Sequence, residues 1–244
     1  MARRPDREQG VDAFEEIESL VERGARWVAE HPGPVLAALA LILAVTAAVA
    51  TTRWWNERTE RRASEAVADV REGFLRAMGA EPGAISFAEP ANPETARQAR
   101  EQYAARFAEA AAAHTGTAAA VEGWLEAGNL REALGQHDAA LEAWQRAVTE
   151  APADSALRGL ALERLARGRE AQGDFTGAAA AFEQAAAIED FPLRHYAMAD
   201  AARTYALAGQ REHAVALADR VEAEAPGLRL PEHVKARLAE LRAR

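Results

Sequence analysis

Six histidines, His31, His114, His137, His195, His213 and His233, are the side chains in this 244-residue chain best suited to proton transfer or metal ligation. No cysteine accompanies them. No two stand at the close spacing that sets paired ligands on one helix face, and neither His195 nor His213 has a carboxylate set of ligand type beside it in the sequence. The many glutamates fall at intervals that read as solvated helix faces with arginine partners. There is no glycine-rich phosphate loop and no nucleophile elbow. The expectation is a protein that is not an enzyme and needs neither metal nor cofactor. What remains for chemistry is recognition. Asn129, Arg167 and Arg203 recur at intervals of 38 and 36 residues. A structure repeating at that step stacks one amide and two guanidinium forks in a column, able to hold a peptide backbone or a carboxylate. The alternative is three solvated polar side chains.

A repeat at that step is written into the stretch from Val121 to Asp154. It reads as two short antiparallel helices with a turn at Gly135 to His137. Gly128 lets the first helix lie against the second, and Gly135 supplies the stop and turn. Ala140 marks a crossing where only a small side chain fits, with Trp124 and Trp144 filling the wedge around it. Pro152 ends the second helix. The same grammar returns at Gly173 with Leu162, Leu165, Ala178, Phe182, Ala185 and Pro192. It returns again at Gly209 with Met198, Tyr205, Ala214 and Pro226.

These offsets resemble the tetratricopeptide (TPR) repeat, a helix-turn-helix unit of about 34 residues, over roughly 121–226. In that architecture the first helix of each unit lines an inner groove. The resemblance therefore implies a partner groove at Leu125, Asn129, Glu163, Arg167, Tyr196 and Arg203. Replacing Arg167 and Arg203 together by Glu is expected to weaken partner capture while leaving thermal unfolding nearly unchanged. The paired lysine and asparagine arrangement by which chaperone-binding TPR domains hold a C-terminal carboxylate is incomplete in this chain.

Composition agrees with an all-α chain. Alanine makes up about a quarter of the residues, which favours helix and close helix approach. A net charge of -9 argues against nucleic acid, whose phosphates require a basic face. The absence of cysteine excludes disulfides, thiolate metal sites and lipid attachment through an N-terminal cysteine.

The N-terminal quarter has another character. Residues 1–11 form a polar tail. Asp12 with Glu15 can open an amphipathic helix over 12–28, with Phe14, Ile17, Leu20 or Val21, and Trp27 or Val28 on one stripe. That stripe suits a membrane surface or a partner helix, or simply leads into the next segment. After a break at 31–34, the run 33–52 carries no charge over 20 positions, enough to span a bilayer core of about 30 Å. Trp54 and Trp55 close it where indoles favour the interface. Ala48 to Ala50 resembles a processing site, but the long acidic region before it reads as an uncleaved anchor. Two arginines precede the span (Arg23, Arg26) and four follow it (Arg53, Arg58, Arg61, Arg62), a count that places the C-terminal domain in the cytoplasm. The rule weakens when a long domain follows.

The organisation predicted is a tail with amphipathic helix (1–32) and a transmembrane helix through the lipid bilayer (33–55). Membrane-proximal helices and a degenerate first repeat follow (56–115), with the stripe Ala63, Val67, Val70, Phe74 and Met78. TPR repeats (116–226) and a capping helix (227–244), with Val234, Leu238 and Leu241 on one face, complete it. The fold class is all-α: one transmembrane helix, then a TPR-like α-solenoid of about 3 to 4 units plus a capping helix.

The Trp27 helix, the 33–52 span with Arg53-Trp54-Trp55 and the helix from Pro93 to Ala113 follow one another in an order that resembles the YfgM-type family, membrane-anchored ancillary subunits of the bacterial Sec translocon. The resemblance implies a single-pass inner-membrane protein with its repeats in the periplasm. It implies SecYEG and a membrane-anchored periplasmic chaperone of the prolyl-isomerase type as partners, and a role in passing newly translocated chains to folding factors. A scaffold of another envelope-assembly complex and a cytoplasm-facing scaffold remain alternatives.

Overall fold

Alanine-rich sequence with glycine punctuation folds into helices throughout, and among the described residues there is no strand. The computed structural model describes residues 22–81, 83, 90 and 92–243. The tail, most of the expected amphipathic helix (Asp12, Phe14, Glu15, Ile17, Leu20 and Val21) and most of the loop before Pro93 lie outside the described residues. The chain divides into two compact units, one ending at Glu57 and one beginning at Arg58.

In the first unit, residues 22–30 are helical and α1 (Pro32–Ala77) begins after the single residue His31. The interruption is narrower than the expected break at 31–34. His31 N–H donates to the Trp27 carbonyl at 3.0 Å, and Val35 N–H donates to the His31 carbonyl at 3.3 Å. Pro32 and Pro34 fall in the first turn, where a missing N–H is tolerated. Leu36, Leu39, Leu41, Ile42, Leu43, Val45 and Val49 are all exposed. Mean hydropathy reaches 2.4 in an 18-residue window, none of it buried, so by length and composition this helix can cross a membrane. The Thr51 and Thr52 hydroxyls donate to the carbonyls of Ala47 and Ala48 at 2.8 and 2.9 Å, which removes free polar groups from an apolar surface.

In the second unit, the rest of α1 buries Ala63, Val67, Phe74 and Met78, with Val70 partly covered. Helix α2 (Pro93–Ala113) supplies Tyr103, whose ring meets Phe74 at 5.7 Å between centroids and lies where a Cβ on Gly73 would be. Three helix pairs follow: α3 (Ala118–Ala133) with α4 (His137–Glu150), α5 (Ala156–Ala171) with α6 (Phe175–Ala186), and α7 (Arg194–Leu207) with α8 (Arg211–Glu224). From α2 onward each helix packs on the next. The first helices also touch one another, α3 against α5 and α5 against α7. Helix α9 (Glu232–Ala243) covers α7 and α8 with Val234, Leu238 and Leu241.

The turn within each pair is one stereochemical device repeated. Gly135, Gly173 and Gly209 take φ of 72°, 82° and 79°, a left-handed region that costs other residues steric strain. At each, the glycine N–H reaches the carbonyl three residues back, and the next N–H reaches the one five back. Gly79 closes α1 with the same pattern at φ 85°.

Packing between units depends on matched sizes. Ala140, Ala178 and Ala214 are fully buried at equivalent phase. The Trp144 ring lies between α3 and α5, occupying the space that a Cβ on Gly128 or on Gly168 would need. One unit further on, at the phases of Trp144 and Gly128, the smaller Phe182 stands with Ala166, and both are buried. Trp124 points instead to the far end of α4 from Ala140. Its indole N–H donates to Glu150 at 2.8 Å, and the Arg146 guanidinium lies 5.2 Å from its ring centroid.

Candidate partner-binding face

The side-by-side first helices α3, α5 and α7 form a face whose side chains come from positions that recur once per unit. Leu125 does not reach its surface. It is 6% exposed and belongs to the core, because that side of α3 is turned toward neighbouring helices. Asn129, Glu163, Tyr196 and Arg203 are half-buried, and Arg167 is exposed.

The arginine column exists as an ionic ladder rather than as open cations. Arg203, with its side chain 12% exposed, donates to both oxygens of Glu170 on α5 at 2.6 and 2.7 Å. Its Nε donates to Asp200 at 3.1 Å. The hydrogen bond to Glu170 raises the Arg203 pKa above its ordinary value, against the cost of burial. Asp200 also lies 3.7 Å from Arg167, which donates through Nε and Nη2 to Glu163 at 2.9 and 2.8 Å. Arg203 is therefore spoken for by this chain's own carboxylates. A glutamate there would face Glu170 and Asp200, so the expectation that it can be charge-reversed without loss of stability is corrected. On the adjoining stretch Arg71 of α1 pairs with Glu122 and Glu126 of α3 at 3.5 and 3.3 Å.

Between α3 and α5 the face opens into a recess of about 400 Å³, lined by Asn129 and Glu132 on one wall and Arg164, Arg167 and Gly168 on the other. Trp144, 4% exposed, contributes its ring. Asn129 and Arg167 thus meet one space, while Arg203 joins Arg167 only through Asp200.

Other ties hold the repeats in place, and not all of them show in the sequence. The Glu60 carboxylate accepts the backbone N–H groups of Ala118 and Ala119, both at 3.0 Å, and Thr117 Oγ1 accepts that of Ala120 at 3.0 Å. Together they satisfy donors that a helix N-terminus leaves unpaired. Arg131 and Arg169, 38 residues apart, repeat the same bond by donating to the carbonyls of Ala139 and Gly177 at 3.2 and 3.3 Å. The interval between these arginines was a signal available in the sequence.

Three of the histidines read as isolated have one carboxylate each across a helix boundary, the first being His137, whose Nδ1 lies 2.9 Å from Glu132. His195 Nε2 lies 3.7 Å from Glu224, and His213 Nε2 lies 3.1 Å from both oxygens of Glu183. Tyr205 also donates to Glu183 at 2.7 Å, and its ring meets His213 edge-on at 4.4 Å between centroids. Burial first, then Glu183, pushes the Tyr205 hydroxyl up to about 12. Among the described residues no group of three or more His, Asp or Glu is placed to hold a metal ion.

This architecture is a TPR-like repeat fold. Among solved structures it is similar to the nearly identical TPR-like repeats of a Podosopora anserina protein described as a kinesin light chain. The match has a TM-score of 0.51 and 20% identity, over 72% of this chain and 87% of that one. A single-substitution variant of those repeats matches with the same TM-score and identity, over 86% of its length. At that identity the likeness defines the fold. No protein-family model matches the chain, and no match was found among curated proteins.

Proposed function

We propose that this protein is a non-catalytic, membrane-anchored adaptor that captures a protein partner on the α3–α5–α7 face. The observation that carries the reading is the contact of α3 with α5 and α5 with α7, which joins the recurring side chains of three units into one surface. The stacked first helices of a TPR-like solenoid present an extended surface of the kind that suits a protein partner.

Anchoring is supported by the exposed apolar length of α1 and by its flanking indoles. Trp27 and Trp54 stand 27 residues apart, about 40 Å at helical rise. That is close to the thickness of about 40–45 Å of a bilayer with its headgroups. The finer form of the proposal is a single-pass bacterial inner-membrane protein with its repeat domain in the periplasm, acting beside the SecYEG channel and a periplasmic chaperone. Its support is the layout of tail, span, Arg53-Trp54-Trp55 and repeats. The arginine count around the span favours a second reading, a cytoplasm-facing scaffold. A scaffold of a different envelope-assembly complex fits the same layout.

Photo-crosslinkers at Asn129 and Tyr196, compared with one at Arg146 on the opposite helix layer, test the adaptor reading. Adducts from the first two positions alone are expected, and equal labelling from Arg146 would sink the assignment of the face. Reporter fusions after Arg244 decide the orientation. Co-purification of translocon subunits, as against wall-assembly enzymes, decides the finer form.

A further inference from the structure

We infer that the arginines following the uncharged run of α1 form a collar that binds anionic lipid headgroups, with Arg53, Arg61 and Arg62 as its open cations. The inference rests on the anchor reading. Between Arg53 and Arg62 the helix carries four arginines against two glutamates. From Ala63 to Arg244 the balance reverses, with 20 basic against 28 acidic residues. A positive stretch of ten residues therefore adjoins the run in an otherwise acidic chain. Arg53, Arg61 and Arg62 are exposed and make no ion pair among the described residues. Of the two acids, Glu60 is committed to the N–H groups of Ala118 and Ala119, both at 3.0 Å. Glu57 is exposed and offsets one of the four positive charges.

Helix geometry aims these charges at a bilayer. Trp54 and Trp55, 52% and 58% exposed, follow the run directly, where indoles favour the headgroup level. Arg61 stands seven residues beyond Trp54, and Arg62 seven beyond Trp55, so two turns of helix set each arginine on the side of an indole. Ala63 and Val67, both buried, mark the opposite side. Arg61 and Arg62 lie about 14–15 Å past Thr52 along the axis. Side chains on an α-helix lean toward its N-terminus, here the side of the run, and an arginine stem adds several ångströms of reach. The headgroup layer is about 5–7 Å deep on each side of the core. Its field extends a further Debye length of about 8–10 Å. Even with α1 upright in the bilayer, all three guanidinium groups fall inside the field of an anionic surface, and Arg53 falls within the headgroup layer. A nucleic acid or an acidic protein segment also offers anions, but neither would cover the exposed apolar run that begins the same helix.

The test uses the full chain with Trp27→Phe, reconstituted in vesicles of equal parts phosphatidylcholine and phosphatidylglycerol. One lipid or the other is brominated on its acyl chains. Bromine quenches a neighbouring indole, so Trp54 and Trp55 report which lipid surrounds them. Trp124 and Trp144, buried among the repeats, stay bright. Brominated phosphatidylglycerol is expected to quench more, with a ratio of binding constants of about threefold or more at low salt. High salt should lower that ratio. Replacing Arg53, Arg61 and Arg62 together by Gln should bring it to about one. The same three changed to Lys should keep most of it, because an anionic surface acts on charge. Glu57→Gln should raise it. The thermal unfolding midpoint should stay in place throughout, because these side chains hold no ion pair within the chain. Equal quenching by the two lipids before substitution, or a preference that survives the Gln variant, overturns the inference and leaves the anchor standing. Absence of quenching by either lipid removes the anchor reading, and the collar with it.

Discussion

Arg203 of α7 holds both carboxylate oxygens of Glu170 on α5, at 2.6 and 2.7 Å, across the boundary between two repeats. Both side chains are largely shielded from water, so each depends on the other for its solvation. Removing one partner leaves a charge that has lost water without gaining a counter-ion. Glu170→Ala is expected to cost about 3 kcal/mol of stability. Arg203→Glu should cost at least as much, since it also meets Asp200. Urea unfolding of the full chain in mild detergent, followed by loss of helical signal, measures both. An unmoved midpoint for Glu170→Ala would show that the pair is solvated after all.

The slot between Gly128 and Gly168 is filled by the Trp144 ring, so an added methyl group on either glycine meets the indole directly. Gly128→Ala and Gly168→Ala are each expected to destabilise by about 1–3 kcal/mol, despite alanine's better helix propensity. Combining Gly128→Ala with Trp144→Leu should cost less than the sum of the separate losses, because the smaller side chain makes room, whereas a methyl group on Gly168 would still meet the Leu141 side chain. Strict additivity in the double-mutant cycle would contradict the size match.

Tyr205 gives the stack a defined alkaline weakness. Its hydroxyl pKa is raised in the folded chain from 10.0 to about 12, chiefly by burial and then by Glu183. The folded state thus keeps the proton more tightly than the unfolded chain does. The associated stability is complete below pH 10 and is lost as pH rises from about 10 through about 12. Tyr205→Phe should flatten that part of the stability profile, at a cost of about 1 kcal/mol at neutral pH for the lost hydrogen bond. Tyrosinate absorbance compared with and without the substitution checks the assignment. A titration complete near the ordinary tyrosine value would refute it.

Glu60 on α1 caps α3, although 58 residues separate the carboxylate from the Ala118 N–H it accepts. Glu60→Ala is expected to cost about 1 kcal/mol, with Glu60→Gln intermediate. The sharper measurement is hydrogen exchange. Protection at Ala118 and Ala119 should fall while Ala120, bonded to Thr117, keeps its own. Uniform loss along α3 would mean that Glu60 acts by another route.

Ile42 sits near the middle of the uncharged run and is exposed. If the run spans a bilayer, Ile42→Arg should reduce insertion by about 3 kcal/mol. Chemical accessibility of single cysteines introduced on either side of the span reads the inserted fraction. Full insertion of the arginine variant, or release of the unaltered chain into the aqueous fraction without detergent, would remove the anchor.

Much of this fold could be read without coordinates, because its determinants are local. Gly135, Gly173 and Gly209 mark turns by a backbone conformation that glycine adopts at little cost. Buried Ala140, Ala178 and Ala214 show their phase by being small, and the 33–52 run shows its preference by composition alone. Such signals sit in the residue itself or within a turn of helix. The site was less legible for a physical reason: a side chain's availability depends on what other helices place beside it. Sequence phase put Arg203 in an open groove, yet Glu170 and Asp200 enclose it. Leu125 shares the helix face of Asn129 by spacing, yet neighbouring helices bury it. Periodicity and stereochemistry determined the helices, their order and their turns. Pairing across 22 to 59 residues, from Glu183 with Tyr205 to Glu60 with Ala119, was decided only when the helices packed.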